Sequence, residues 1–182
     1  MNSTIAVIGL GAMGLPMATH LATRFEVRGF DLHQTRLDIA AEQGVSPTAS
    51  AVEAVSGSDA VLVAVRTGDQ LRELLFGADD LAGHLEDGAV VILTSTVGVE
   101  GIAEVADRLA ERGVLFVDAP LSGGPARAGS GDLLIVVGAP ERAVEAARDV
   151  LEHLSSTLTI VGERPGDGQA LKTVNQLLCG VH

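Results

Sequence analysis

The sequence predicts an α/β fold: a doubly wound, mostly parallel sheet with helices on both faces. Three observations carry that expectation. Apolar strand-like runs alternate with amphipathic helix-like runs, and no internal repeat interrupts them. Residues 60–65 and 89–93 are apolar throughout, as strands covered on both faces must be. The first strand, an apolar run at residues 5–8, breaks into Gly9-Leu10-Gly11-Ala12-Met13-Gly14 and then into helix-like sequence.

Each glycine of that turn has its own physical task. Gly9 permits the tight turn off the strand, Gly11 has no Cβ to block a pyrophosphate nearing the backbone, and Gly14 lets the helix lie close to the sheet. Leu10, Ala12 and Met13 fill the turn between them, and the free N–H groups at the helix start hold phosphate charge. In a chain with 22 glycines the motif alone is weak, and the alternative is that its glycines merely pack a helix on a sheet. Its context favours the ligand. Ala18, Leu21 and Ala22 form a helical stripe after it, residues 26–30 read as a second strand, and Asp31 follows 22 residues after Gly9. An acid there meets the ribose 2′-hydroxyl of a dinucleotide and repels a 2′-phosphate, so the turn predicts a Rossmann site for NAD in preference to NADP. Arg36, about one turn into the next helix, is the one nearby group able to neutralise a 2′-phosphate.

Further along, residues 34–43 read as a helix ended by Gly44-Val45-Ser46-Pro47, residues 50–55 as a short amphipathic piece, and residues 56–59 as a turn. Strand 60–65 ends at Val65, which with residues 66–69 lies where open sheets bind ligands, and Val65 is assigned to the cofactor site. Helical segments 70–76 and 81–85 precede the fourth strand, 89–93. Thr94-Ser95-Thr96 at its mouth either reach the nicotinamide end of the cofactor or cap the next helix. That helix, 99–112, carries Ile102, Val105, Ala106 and Leu109 on one face. Strands at 114–117 and 133–137, a helix begun by Pro140 and running to Leu154, and a last strand near 158–161 complete the sheet, with no linker before Gly162.

Composition narrows the partners. Of 182 residues, 47% are apolar and 20% charged, a folded domain rather than a disordered one. A net charge of −12, without any basic run, argues against nucleic acid and anionic membranes, and four Phe as the only aromatics offer no platform for stacked bases. No apolar run approaches spanning length, and the N-terminus lacks signal-peptide features. Cys179, the single cysteine, permits no internal disulfide and reads as a small apolar helix residue; the five histidines show no metal-ligand spacing. A cytoplasmic, metal-free protein is expected.

Two later stretches carry chemistry. Asp118-Ala119-Pro120-Leu121-Ser122-Gly123-Gly124-Pro125 follows the fifth strand, and its hydroxyl and glycine amides suit an anion such as a carboxylate; an ordinary Gly/Pro loop is the alternative. In Gly166-Asp167-Gly168-Gln169-Ala170-Leu171-Lys172-Thr173-Val174-Asn175, Lys172 is the sole lysine among 12 basic residues. It lies one helical turn from Asn175, so the two project together. Arginine cannot give up its proton in a protein and lysine can, which favours a proton-transfer role over a solvated helix lysine.

These three motifs, in this order and spacing, resemble the signatures of the β-hydroxyacid dehydrogenases, the family of 3-hydroxyisobutyrate dehydrogenase, tartronate semialdehyde reductase and L-threonate dehydrogenase, related to 6-phosphogluconate dehydrogenase. The resemblance implies hydride transfer between NAD and a small 3-hydroxy acid. By it, Lys172 is the general acid/base, Asn175 orients the substrate, Ser122, Gly123 and Gly124 bind its carboxylate, and Thr96 lies near the nicotinamide. Imine reductases share the fold but usually replace this lysine. Arg127-Ala128 and Gly131-Asp132-Leu133 depart from the commonest family pattern and, with Gly180-Val181-His182, resemble the branch acting on four-carbon sugar acids. Arg127 is therefore expected to contact substrate, or else to pair with Asp132 at the surface.

The resemblance further implies a division into a Rossmann domain, 1–164, and the start of a long interdomain helix, 165–182. Family members continue into an all-helical domain that covers the site and forms a homo-oligomer. Leu171, Val174, Leu178 and Val181 form an apolar stripe on that helix, so the chain is expected to be part of such a protein. The rival from another class is a non-catalytic dinucleotide-binding or sensing module, for which a Lys172–Asn175 pair has no use.

Overall fold

The computed structural model describes residues 3–180, with side chains through Leu178; the expectations for Cys179 and for Val181-His182 lie outside them. In chain order the elements are β1 (Thr4–Ile8), α1 (Gly14–Leu21), β2 (Glu26–Phe30), α2 (Gln34–Glu42), β3 (Ser46–Pro47), α3 (Ala51–Val55), β4 (Ala60–Val63), α4 (Gly68–Phe76), a 3₁₀ turn (Leu81–His84) and β5 (Val90–Leu93). They continue with α5 (Ile102–Ala110), β6 (Leu115–Asp118), β7 (Leu121–Ser122), α6 (Gly124–Ala128), β8 (Leu133–Gly138), α7 (Glu141–Leu154), β9 (Ser155–Gly162) and α8 (Asp167–Gly180).

The strands lie in the order β3-β2-β1-β4-β5-β6-β8-β7, with β9 beside β8. From β3 through β6 every pairing is parallel. Because β4 returns on the other side of β1, the loops after those two strands diverge and open a crevice at the strands' carboxyl ends. Side chains alternate across the sheet with a period of two. Ile5 and Val7 of β1 face one layer with Met17 and Leu21 of α1 and Val144 and Leu151 of α7. Ala6 and Ile8 face the other, with Ala54 of α3, Leu71 of α4 and Val105 of α5. Both layers are apolar, which explains the unbroken hydrophobic runs of β4 and β5.

The structure corrects several boundaries. Strand 60–65 stops at Val63, and the helix expected over 99–112 spans only Ile102–Ala110, because Gly98 and Gly101 sit at φ 85° and 75°. Segment 81–85 is helical as a 3₁₀ turn, Leu81–His84. Pro140 is the extended N-cap of α7 (φ −60°, ψ 150°) and lies outside the helix it was expected to begin. The last strand is longer than expected, Ser155–Gly162, and β3 and β7 are two-residue strands too short to show periodicity. β8 runs antiparallel to both β6 and β7, while β8 and β9 run parallel through the α7 crossover. Among the described residues no helix is long and apolar enough to cross a membrane.

A stacked histidine pair joins α1 to α7. The rings of His20 and His153 lie 4.5 Å apart at 19°, with Phe25 edge-on to His153. His153 Nε2 lies 3.0 Å from Thr23 Oγ1 and 3.1 Å from the His20 carbonyl oxygen. Burial, together with the nearby charges of His20 and Arg24, pushes the His153 pKa below its ordinary value despite the carbonyl contact. A depressed folded pKa means that the unfolded chain takes up the proton first. Stability is therefore fully present above about pH 6.5 and is lost as pH falls below it. Urea denaturation between pH 8 and pH 5 should show that decline, and His153→Asn should flatten it; an unchanged slope would remove His153 as its source.

Candidate active site

The β1–α1 corner is closed by contact. A Cβ on Gly14 would lie 1.7 Å from the Gly9 carbonyl oxygen, and one on Gly9, at φ 94°, would lie 2.5 Å from the Ala64 carbonyl oxygen. Gly11 is different. Its missing side chain faces open space with only Arg36 Nη1 nearby, at 3.7 Å. Sterics thus require glycine at 9 and 14, while at 11 the bare backbone leaves room for a ligand. Ala12 is exposed, and Met13 N-caps α1 without a side-chain bond to the helix amides. Leu10 does something else. Its side chain is buried, and its N–H donates to Asp31 Oδ2 at 2.8 Å.

Asp31 lies one residue past β2, nearly buried. Oδ1 accepts from the His33 amide at 2.9 Å and is 2.9 Å from His33 Nδ1, while Oδ2 also accepts from Arg36 Nη1 at 3.1 Å. Burial alone would raise its pKa, but the His33 amide and ring, Arg36 and the Leu10 amide together hold it below the usual value. An ionised acceptor therefore stands beside the glycine turn with a guanidinium on its outer side. The adjoining cleft, about 580 Å³, includes Leu32, Leu37, Pro47 and Thr48. None of these was expected in the site. Leu32, directly after Asp31, is exposed, which the sequence does not show.

The second half of the site is assembled from distant segments. Lys172 Nζ donates to Ser122 Oγ at 2.6 Å, joining α8 to β7. Lys172 is half-buried, and Asn175, one turn on, is exposed. Gly123 and Gly124 turn the chain at φ 140° and 75°. Arg127 lies along Gly123, whose Cβ would fall 3.1 Å from that of Arg127, but its Nε donates to Asp132 Oδ2 at 2.9 Å. Val65, beyond the end of β4, is half-buried against the α3–α5 layer. Thr96 sits half-buried in the loop after β5. The Thr94 hydroxyl donates to the Val63 carbonyl at 3.1 Å, and the N-cap of α5 is Gly101, so this hydroxyl run does not cap the helix.

Two residues quoted in the motifs without a role prove to be structural centres. Asp118 is fully buried, and its Oδ2 accepts from the amides of Gly166 (3.0 Å) and Gln169 (2.9 Å) at the start of α8. Burial pushes its pKa up, against the lowering effect of Gln169 and the glycine amides. Gln169 is equally buried and bonds to the loop carrying Thr96. With the two residues 51 positions apart in sequence, no local pattern announces the pair.

A doubly wound sheet with a glycine turn at its first βα corner and an acid past its second strand defines a dinucleotide-binding domain. The chain belongs to the family of the NAD-binding domain of 6-phosphogluconate dehydrogenase, whose model matches residues 4–162. It is 41% identical to an L-threonate dehydrogenase of Cupriavidus necator over 184 residues, which cover 100% of this chain and 62% of that protein. Over 178 residues it is 35% identical to an NAD-dependent L-serine dehydrogenase of Pseudomonas aeruginosa, covering 97% of this chain and 59% of that one. Among solved structures, a Mycobacterium tuberculosis 3-hydroxyisobutyrate dehydrogenase with L-serine superposes with a TM-score of 0.92 at 36% identity, covering 100% of this chain and 61% of that one. The chain thus spans about 60% of the length of these relatives.

The corner's packing gives a direct test. Gly14→Ala forces a methyl group into the Gly9 carbonyl, and overpacking of this kind costs about 1–3 kcal/mol. Thermal unfolding should fall accordingly, with NADH affinity reduced at least about tenfold because the turn itself must move. Unchanged affinity would show that the turn is not where the cofactor binds.

Proposed function

We propose that this chain is the cofactor-binding and proton-transfer portion of an NAD-dependent dehydrogenase acting on a small, polyhydroxylated 3-hydroxy acid. The observation that carries the proposal is the Lys172–Ser122 contact, in which an amino group lies against a hydroxyl beside a glycine loop at the ligand-binding edge of the sheet. The residues fit NAD. Gly9 through Gly14 would hold its pyrophosphate, Asp31 its adenosine ribose, and Val65 and Thr96 would line its nicotinamide end. Bound there, NAD supplies the hydride acceptor.

The chain's own groups do the rest. Lys172 takes the hydroxyl proton as the carbon–oxygen bond becomes a carbonyl, and returns it in the reverse reduction. Asn175 orients the reacting hydroxyl. Ser122 with the amides of Gly123 and Gly124 receives the carboxylate, and Arg127, whose stem lies along Gly123, helps choose the substrate by meeting a carboxylate or hydroxyl. For Arg127 a second reading has support: its pairing with Asp132 favours a surface ion pair. The likeness to an L-threonate dehydrogenase supports the polyhydroxylated substrate. A purely dinucleotide-sensing module is the rival, and a lysine held at a hydroxyl speaks against it.

The domain division at 164/165 belongs to the same proposal. Leu171, Val174, Leu177 and Leu178 of α8 are exposed, a stripe suited to the all-helical part of a longer protein and to homo-oligomer formation. A cytoplasmic location completes it, where the NAD pool and hydroxy-acid metabolism meet.

Two measurements test the reading. NADH should bind at least about tenfold more tightly than NADPH, since a 2′-phosphate meets the Asp31 carboxylate, and Asp31→Ala should erase the preference; tighter NADPH binding would overturn the assignment. In the complete protein, Lys172→Ala should lower kcat by about 10²–10⁴-fold with NADH affinity nearly unchanged. Lys172→Arg, charged but unable to accept a proton, should be almost as slow. Recovery by arginine would make residue 172 an electrostatic anchor and place the base elsewhere.

A further inference from the structure

Gln169 is a buried amide with every hydrogen-bonding position filled. Its Oε1 accepts from the amides of Val97 (2.8 Å) and Gly98 (3.1 Å), and its Nε2 donates to the Ser95 carbonyl (2.9 Å) and to Asp118 Oδ1 (2.7 Å). Two donors face the oxygen and two acceptors face the nitrogen, so the amide can sit only one way round. Three of the four bonds go to residues that bracket Thr96. The fourth goes to the carboxylate that also holds the first turn of α8. From Gln169 to Lys172 is one further turn of the same helix.

We infer that Gln169 is a positioning residue for the reaction: it locks the loop carrying Thr96 to the helix carrying Lys172, with Asp118 as the shared anchor. The inference rests on the dehydrogenase reading above. Hydride and proton leave the same substrate in concert, so the nicotinamide pocket and the lysine must keep one separation. Gln169 makes the hydrogen bonds that join this loop directly to the helix among the described residues. Misplacement of reacting groups by 1 Å costs about 10²-fold in rate. The residue type follows from the partners. Glutamate would turn an oxygen toward the Ser95 carbonyl and the Asp118 carboxylate, and asparagine, one methylene shorter, would not span loop and anchor together.

The test uses the complete protein with Gln169→Met, which keeps length and removes the four bonds, and Gln169→Glu, which reverses two of them. At saturating NAD and substrate, kcat should fall about 10²-fold in both. The dissociation constant for NADH should change less than about threefold, because the glycine turn and Asp31 are untouched. Amide hydrogen exchange at Val97 and Gly98 should accelerate in step with the loss of kcat. A merely structural residue would lower the melting temperature and leave the kcat of the folded protein intact. That result, persistent protection of both amides, or failure of both variants to fold would overturn the inference. If Lys172→Ala left turnover unchanged, the dehydrogenase reading would fall instead, and exchange at Val97 and Gly98 would still decide whether Gln169 holds the loop.

Discussion

The chemistry-bearing edge of this molecule depends on one buried carboxylate. Asp118 lies at the end of β6 with no solvent contact, and an ion so placed is costly unless donors surround it. Its donors are the first amides of α8 and the side-chain amide of Gln169, so the requirement to satisfy Asp118 fixes where that helix begins. The glycines complete the fit. A Cβ on Gly138 would stand 2.7 Å from both the Arg164 carbonyl oxygen and the Gly168 nitrogen, and one on Gly168 would press on Asp118 and Pro120. Helix and sheet meet backbone to backbone, leaving little freedom for the lysine one turn further on.

The nucleotide half of the site is built differently. Its phosphate turn and acid come from β1, the glycine turn, the first turn of α1 and the end of β2, and the adjoining cleft adds Leu37, Pro47 and Thr48. Leu10 links its two parts by spending its amide on Asp31, and Arg36 closes the outer side. Though the chain carries a net charge of −12, Arg36 stands beside the glycine turn and Lys172 beside the Ser122 loop. Local field, and not net charge, governs which anions such a crevice accepts.

Strand direction connects the halves. After β6 the chain makes the short β7, and β8 then runs back against both. The crossover through α7 returns β9 parallel to β8, so that α8 starts beside the end of β8 and next to Asp118.

The sequence by itself determined the α/β class, the central strands, the two-layer apolar core, the phosphate turn and its acid, because each is written in short-range terms: a period of two or 3.6, or a glycine where no side chain fits. It also marked Lys172 by composition and Ser122-Gly123-Gly124 by their place after a strand. What it could not display was contact between segments. That Asp118 and Gln169 form a buried centre, that Leu10 and Arg36 share Asp31, and that β8 reverses direction were decided by the tertiary structure. Buried polar groups take partners from wherever the topology brings them. The helices after Pro140 and Gly101 begin only at Glu141 and Ile102, because Pro140 stays extended at ψ 150° and Gly101 sits in the left-handed region at φ 75°.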